Sequence, residues 1–461
     1  MMNLAVLLWP FFVSVILGYL AVNLIFPVKN PPSFLIRLFL AGGLGMGFSA
    51  ALTFICFIFL NRLNFPLVCS LHIAALGILL GFTIRRIFRC GPAWDRRVYG
   101  RAIGANILIL SVLGLMMYPA WVHANYYPLG GWDAWSVWNF KARFLMLGAD
   151  RWQNMLEPSL WRTSPHYPLL LPLINVWGWA GVKQPNALIP LLTAIIFTFQ
   201  TTGLMCAGIR ELTGRHIGWL AALLLLSNSF ISQIAVSQYC DIVTGYYMLA
   251  SLLGLSCFCA GRGAGWAYIA ALSTGLLAFT KPEGTVAAMI LGIIGLAVIA
   301  GKNRSLPAEN RAALWRPALL LALTLWPAVV FNLAYSPGNQ TYINGFISDI
   351  KPFGLMRVKM TLAYYLLEFI NGKWNGLLVL LTAGVLLGGR KPWRKSLAVF
   401  PVFVILYSGV IFVYYQTNTY FDIGWWLQVS LNRIIVSLLP AVTVWMFCGM
   451  FEKTRDQRQE T

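Results

Sequence analysis

The sequence predicts an all-α integral membrane protein with about thirteen transmembrane helices and an extracytoplasmic loop region that bears amphipathic helices. Of its 461 residues, 59% are hydrophobic and only 10% are charged, whereas about one quarter of an ordinary soluble domain is charged. Apolar runs of about 20 residues, enough to cross a bilayer as a helix, recur along the chain. The longest polar connection, residues 125–184, is rich in Trp, Tyr and Pro.

The apolar runs give the predicted spans in order. They lie at residues 4–27, 34–60, 66–88, 102–124, 185–209, 216–235, 236–260, 265–280, 283–301, 317–335, 362–388, 396–415 and 429–450. Asn371-Gly372-Lys373 interrupts one of these runs, so an interfacial helix followed by a shorter span is equally consistent with that segment. We expect the first run to be a span that starts outside, because no basic residue precedes Lys29 and no small-residue cleavage site is present.

The positions of the Lys and Arg residues predict the orientation of the chain in the membrane. The chain has 34 Lys and Arg against 14 Asp and Glu, a net charge of +20, and cations are retained preferentially on the cytoplasmic side. Thirteen spans place four basic runs on one side, at residues 85–101, 302–316, 390–395 and 453–458. This topology leaves 22 cations inside and 12 outside. Insertion and contact with anionic lipid therefore account for the charge, and no nucleic-acid partner is needed.

The outer loop opens with Gly130-Gly131-Trp132-Asp133, and apolar residues then recur at helical spacing as far as Leu147. This pattern predicts an amphipathic helix on the membrane surface. The simplest interpretation of Asp133 is an N-cap for that helix. The simplest interpretation of Trp132, Trp135 and Trp138 is an interfacial aromatic belt.

Four other scarce ionisable residues fall at the outer ends of spans, namely Asp241, Lys281, Glu283 and Arg433. A charge at membrane depth costs at least about 2.5–3.5 kcal/mol on insertion scales, so such residues usually face a polar cavity. Each also has a simpler interpretation. Asp241 could pair with Lys281, Glu283 could complement a helix dipole, and Arg433 could extend to the interface. Their convergence on one leaflet favours a shared site.

A histidine lies late in the outer loop, where Pro165 and Pro168 flank His166 and Tyr167. The two prolines keep the backbone extended, so the imidazole and the phenol are presented in the loop instead of being buried in a helix. A lone loop histidine is more often incidental. The eight cysteines contain no CxxC pair, which favours free thiols over a zinc site.

In this order the motifs resemble the GT-C superfamily of polytopic glycosyltransferases, and within it the protein O-mannosyltransferase and aminoarabinose-transferase-like branch. The matching series is Gly131-Trp132-Asp133, His166-Tyr167-Pro168-Leu169-Leu170, Tyr239-Cys240-Asp241, Lys281-Pro282-Glu283-Gly284, and Asn432-Arg433 leading to Pro440. It covers roughly residues 102–450. Each motif is short, and their order and shared sidedness carry the resemblance.

The resemblance implies an inverting transferase that takes a sugar from a polyprenyl-phosphate donor in the bilayer. The acceptor would be a hydroxyl of a glycan, lipid or protein, reached from the periplasmic face of a bacterial inner membrane. Asp133 would be the general base. The implied substrate-binding residues are Lys141, His166, Tyr167, Asp241, Lys281, Glu283 and Arg433.

No residue is assigned to a metal, and no cofactor is certain. Asp133 is followed by Ala134, where many relatives carry a second acid, so use of a divalent metal stays open. The implied regions are a three-helix extension at 1–101, a catalytic core at 102–335 that includes the outer loop, and a C-terminal region at 336–461 with outer loops and a short cytoplasmic tail.

The alternative function class is a secondary transporter or a lipid- or solute-binding membrane protein. In a secondary transporter we expect inverted repeats and charges near the centres of spans. In this sequence we find no repeat, and the acids gather toward one surface.

Overall fold

The computed structural model describes residues 4–28, 31–90, 114, 118–119, 121–303, 315–337, 354–417 and 422–451. These residues form helices and loops with no strand, as the sequence predicts. The α-helices are α1 (Leu4–Ile25), α2 (Phe34–Leu60), α3 (Phe65–Cys90), α4 (Asn139–Leu147), α5 (Leu170–Gly178), α6 (Leu188–Thr213), α7 (Gly218–Leu226), α8 (Ser229–Val236), α9 (Cys240–Cys259), α10 (Gly265–Ala278), α11 (Pro282–Asn303), α12 (Arg316–Thr324), α13 (Trp326–Val330), α14 (Leu355–Ile370), α15 (Leu377–Leu387), α16 (Val399–Thr417) and α17 (Ile423–Phe451).

The described helices account for most of the predicted spans. Nine are long and apolar enough to cross a membrane, with α12 and α13 joined as one. Two more crossings arise if each bent helix pair is one span. The predicted span at 265–280 is the shorter apolar helix α10, and the one at 102–124 lies largely outside the described residues. The protein is therefore an all-α membrane protein, with nine to eleven spans in the part of the chain described.

Both bends occur where the backbone cannot continue a helix. Between α7 and α8 the chain turns by 85° at Asn228, whose extended backbone and side chain cap the start of α8. Between α14 and α15 it turns by 113°, and Asn375 and Gly376 have left-handed φ values of 48° and 75°. A helix followed by a separate shorter one, the second interpretation of this segment, agrees with that geometry. The two bends touch, because Asn228 Nδ2 donates to Lys373 O at 3.0 Å.

Helix α2 packs directly against the centre of the bundle. The ring of Tyr246 on α9 occupies the space where a Cβ at Gly43 would stand, 2.1 Å away. Buried hydroxyls in an apolar interior need partners. Tyr246 Oη donates to Phe39 O at 2.9 Å, and Tyr247 Oη donates to Gly43 O at 2.7 Å. Helix α2 is thus part of the core, while the predicted region boundary at residue 101 falls outside the described residues.

The described basic clusters gather at one end of the bundle. Arg86, near the end of α3, donates to Phe26 O, and the Phe26 ring packs edge-on against Trp266 at the start of α10, with ring centroids 5.1 Å apart. The same end carries Lys302 at the end of α11, which donates to Phe258 O near the end of α9. This shared location agrees with the predicted grouping of these basic runs on one side; that this side faces the cytoplasm stays a prediction.

The outer loop lies at the opposite end and is anchored to the turn between α2 and α3. Asn61, with a left-handed φ of 51°, accepts hydrogen bonds from Trp152 Nε1 at 3.0 Å and from Gln153 Nε2 at 2.8 Å. Its amide donates to Asp150 O at 3.2 Å. The loop between residues 125 and 184 therefore folds onto the bundle.

The helix predicted after Asp133 is present as a π-helical turn, Ala134–Trp138, that continues into α4. Its apolar face packs on the protein, since Trp138 and Leu145 are buried. Trp132 and Trp135 are 63% and 46% exposed, as an interfacial belt requires. The belt interpretation is wrong for Trp138, because that face of the helix covers the core.

Candidate active site

Four of the predicted site residues form one ion-pair network, comprising Asp133, Asp241, Lys281 and Arg433. Arg433 Nη1 lies 2.6 Å from Asp133 Oδ2, and Arg433 Nε lies 2.9 Å from Asp241 Oδ2. Lys281 Nζ lies 2.6 Å from the other oxygen of Asp241. The first and last members are 300 residues apart in the chain. The network joins the outer loop, the start of α9, the turn before α11 and the outer third of α17.

The network has a buried half and an accessible half. The side chain of Asp241 is fully buried and that of Lys281 is 6% exposed, whereas those of Arg433 and Asp133 are 22% and 25% exposed. A buried charge is tolerated only when it is paired and hydrogen-bonded. Asp241 meets this condition by accepting from both cations. The accessible carboxylate and guanidinium are the groups that a substrate can reach.

Asp133 does not cap the helix that follows it. Its side chain makes no capping hydrogen bond to that helix and pairs with Arg433 instead. The N-cap interpretation of Asp133 is therefore wrong. The expected pair of Asp241 with Lys281 is present, and Asp241 also pairs with Arg433.

Tyr239 holds the accessible half in place. The guanidinium of Arg433 lies over the Tyr239 ring, 4.5 Å from its centroid, a favourable cation–π position. Burial raises the pKa of the Tyr239 hydroxyl, which lies within hydrogen-bonding reach of the Asp133 backbone. A Cβ at Gly131 would lie 2.3 Å from Tyr239 Oη. The glycine before Trp132 is thus required by the close approach of the two segments.

An amide cluster that the sequence did not reveal aligns the two carboxylates. Gln238, 2% exposed and with a left-handed φ of 62°, accepts from Asn139 Nδ2 at 2.8 Å and donates to Pro128 O at 3.3 Å. The Gly131 N–H donates to Ser237 O at 3.1 Å. These bonds fix the segment that carries Asp241 against the segment that carries Asp133. Asn and Gln residues are common on protein surfaces, so the positions of Asn139 and Gln238 in the sequence did not indicate a functional site.

Glu283 lies beside the network without joining it. It occupies the first turn of α11, within electrostatic reach of Lys281. Among the described residues, its buried Oε2 atom has no hydrogen-bond partner. Its predicted role in binding substrate stays a prediction.

Lys141, His166 and Tyr167 form a separate unit in the outer loop. Lys141 is fully buried, and its ammonium donates to the carbonyls of Ser164 at 2.7 Å, Tyr167 at 2.8 Å and Pro165 at 3.4 Å. These three bonds direct the ammonium at the backbone of the loop. The structure places Lys141 as the anchor of residues 164–167 and outside the ion-pair network.

The pH dependence of this unit follows from its burial. Burial, with the nearby Lys141 charge, lowers the pKa of His166 from 6.5 to about 3. The unfolded chain therefore binds a proton below about pH 6.5 that the folded chain excludes, so folding stability falls as the pH falls below that value, by up to about 1.4 kcal/mol per pH unit. We expect the melting temperature in detergent to drop between pH 7 and pH 4.5, and to drop less in His166→Gln. Equal pH dependence in the two proteins would contradict this origin.

The described residues contain no group of three His, Cys, Asp or Glu side chains that could hold a metal ion. The cations at this site are Arg433 and Lys281, which already pair with both aspartates. The seven cysteines whose side chains the structure describes are free thiols, as predicted.

The site can therefore present a carboxylate and a guanidinium side by side, supported by a buried ion pair, at one end of an apolar bundle. Comparison of the chain with family models, curated proteins and solved structures finds no match.

Proposed function

We propose that the protein is a membrane glycosyltransferase that moves a sugar from a polyprenyl-phosphate donor to a hydroxyl of a glycan, lipid or protein, with inversion at the anomeric carbon. The observation that carries the proposal is the ion-pair network, in which accessible Asp133 and Arg433 lie 2.6 Å apart. A transfer from a lipid phosphate needs a base for the attacking hydroxyl and positive charge for the departing phosphate. The network provides both at the end of the bundle away from the described basic clusters.

In the proposed step the acceptor oxygen attacks the anomeric carbon while its proton passes to the Asp133 carboxylate. The bond between that carbon and the phosphate oxygen breaks, and its electron pair leaves with the phosphate. Arg433 then neutralises the phosphate charge. A guanidinium suits this role because its planar fork can hold two phosphate oxygens.

The buried half of the network orients the accessible half. Asp241 accepts from Nε of Arg433, which fixes the plane of the guanidinium without using the terminal nitrogen that faces Asp133. Lys281 balances the buried carboxylate. An arriving phosphate can therefore replace Asp133 as the partner of Arg433 Nη1 while the guanidinium keeps its orientation. Under this proposal donor binding releases the carboxylate that acts as the base.

The proposal is tested by transfer of radiolabelled sugar in proteoliposomes, using a panel of polyprenyl-phosphate sugars and hydroxyl acceptors. At least one donor should give covalent transfer, and Arg433→Ala should lower its rate by about 10²–10³. Arg433→Lys should restore little, because a compact ammonium cannot hold two oxygens. Arg262→Ala is the matched control, since that arginine makes an exposed pair with Glu211. A full rate in Arg433→Ala would contradict the proposal.

A secondary transporter is the second candidate, because the two bent helix pairs meet at their bends. Transporters use such interrupted helices to bind solutes. Accumulation of labelled sugar phosphate in proteoliposomes, with no covalent product from any donor, would favour this function over transfer.

A further inference from the structure

Lys141 is a buried cation of the outer loop that the ion-pair network does not use. It is fully buried, and no Asp or Glu of the described residues lies within ion-pair distance of its ammonium. Taking an ammonium out of water is costly unless polar groups replace the water. Here the carbonyls of Ser164, Pro165 and Tyr167 replace it, at 2.7, 3.4 and 2.8 Å. Lys141 therefore fastens three carbonyls of one short segment at a single point.

The fastened segment, residues 164–170, leads to the turn that carries Lys281. Leu170 begins α5, and its backbone N–H donates to Phe279 O at 3.2 Å. Groups at the ends of helices lack partners within their own helix, and this bond pairs the start of α5 with the end of α10. Leu170 and Phe279 are both fully buried, so water does not compete for the bond. The backbone two residues before Lys281 is thus held by the segment that Lys141 anchors.

Helix α4 reaches the other half of the buried ion pair as well. Asn139, half a turn before Lys141, donates to Gln238 Oε1 at 2.8 Å, and Gln238 lies three residues before Asp241. One helix therefore contacts both backbone segments that carry the pair. The paired atoms, Lys281 Nζ and Asp241 Oδ1, are 2.6 Å apart, so a small displacement of either segment changes their geometry.

We propose that Lys141 is a positioning residue for Lys281, acting through residues 164–170 without touching the substrate. The ammonium sets the place of the turn before α11, and Lys281 in turn holds Asp241, which fixes the guanidinium of Arg433. A misplacement of about 1 Å by a change far from the reacting atoms can lower a rate by about 10²-fold. This inference rests on the proposed function only for its effect on the transfer rate.

Hydrogen–deuterium exchange of the full-length protein in detergent micelles tests this role. Lys141→Met keeps an unbranched side chain but removes the donor. Amide exchange should become about tenfold faster at residues 164–170 and also at residues 279–281. The rate of sugar transfer should fall by about 10–10²-fold. If Lys141 instead held only its own loop or bound donor phosphate directly, exchange at 279–281 would stay unchanged.

Chemical rescue separates positioning from a direct contact with substrate. In Lys141→Ala the missing part of the side chain has the size of n-propylammonium, and a cavity left by truncation can bind a small molecule of matching shape. Added n-propylammonium should slow exchange at 279–281 and restore transfer with the same half-saturating concentration. The neutral n-propanol should do neither, because its single O–H cannot replace three donors.

Lys183→Met is the matched control, since Lys183 is an exposed cation of the same outer loop, and it should match the wild type in exchange and in transfer. If Lys141→Ala does not fold, Lys141→Gln replaces it, and its shorter amide should leave exchange at 279–281 faster than in the wild type. Faster exchange confined to 164–170, or equal rescue by n-propanol, would overturn the positioning role. Coupled exchange in a protein that transfers no sugar would support that role and contradict the proposed function.

Discussion

Asp133→Asn is expected to lower the rate of sugar transfer by a factor of about 10²–10⁴, the usual contribution of a positioned general base. The amide keeps the shape of the side chain and can still accept a hydrogen bond from Arg433, but it cannot take a proton from the acceptor hydroxyl. The side chain is 25% exposed, so its neutralisation should cost little stability. Single-turnover transfer in proteoliposomes measures the chemical step separately from substrate binding.

The matched control for this change is Asp150→Asn. Asp150 is an exposed acid of the same outer loop, and its hydrogen bond with Asn61 uses the backbone carbonyl. We expect a normal transfer rate in this variant. A near-normal rate in Asp133→Asn would show that the carboxylate is not the base and would make Glu283, the nearby acid outside the ion-pair network, the next candidate.

The membrane architecture was largely predictable because a bilayer restricts the chain to helices long enough to cross it. The bends were not. The polar residues Ser227-Asn228-Ser229 interrupt the run at 216–235, but the bend there depends on Asn228 capping α8 and reaching the Lys373 carbonyl in the other bend. The interruption at Asn371-Gly372-Lys373 was visible, but a 113° turn depends on the left-handed pair that follows it.

The charged members of the site were predictable for a different reason. Ionisable residues at membrane depth are costly and rare, so each one that remains is informative. Their pairing was not predictable, because sequence does not show that Arg433 lies between Asp133 and Asp241. Lys141 appeared equivalent to the other cations in the sequence, yet it is directed at loop carbonyls.

The supporting residues around the network carry no charge, so they could not be recognised in the sequence as the rare charged residues could. Gln238 and Asn139 act through one buried amide contact across 99 residues of sequence. Gly131 is required only because the Tyr239 hydroxyl lies where its Cβ would be. Such complementarity depends on the folded arrangement of both segments, so a single sequence cannot reveal it.

Asp241→Ala is expected to lower the free energy of unfolding by about 3–5 kcal/mol, because it leaves Lys281 buried without its partner. Arg433 retains Asp133, but Lys281 is 6% exposed and has little access to water. The double variant Asp241→Leu with Lys281→Met removes both buried charges and should recover most of that loss. Thermal unfolding in detergent compares the stability of the wild type, Asp241→Ala and the double variant. Asp241→Ala as stable as the wild type would contradict the burial of the Asp241–Lys281 pair.

The double variant also distinguishes an effect on folding stability from an effect on the transfer rate. If the buried pair serves only the fold, the rescued protein should transfer sugar normally. We expect instead that its rate stays about 10²-fold or more below the wild type, because Arg433 loses the carboxylate that fixes its plane. A stable double variant with full activity would therefore contradict the orienting role of Asp241 while leaving Asp133 as the base untouched.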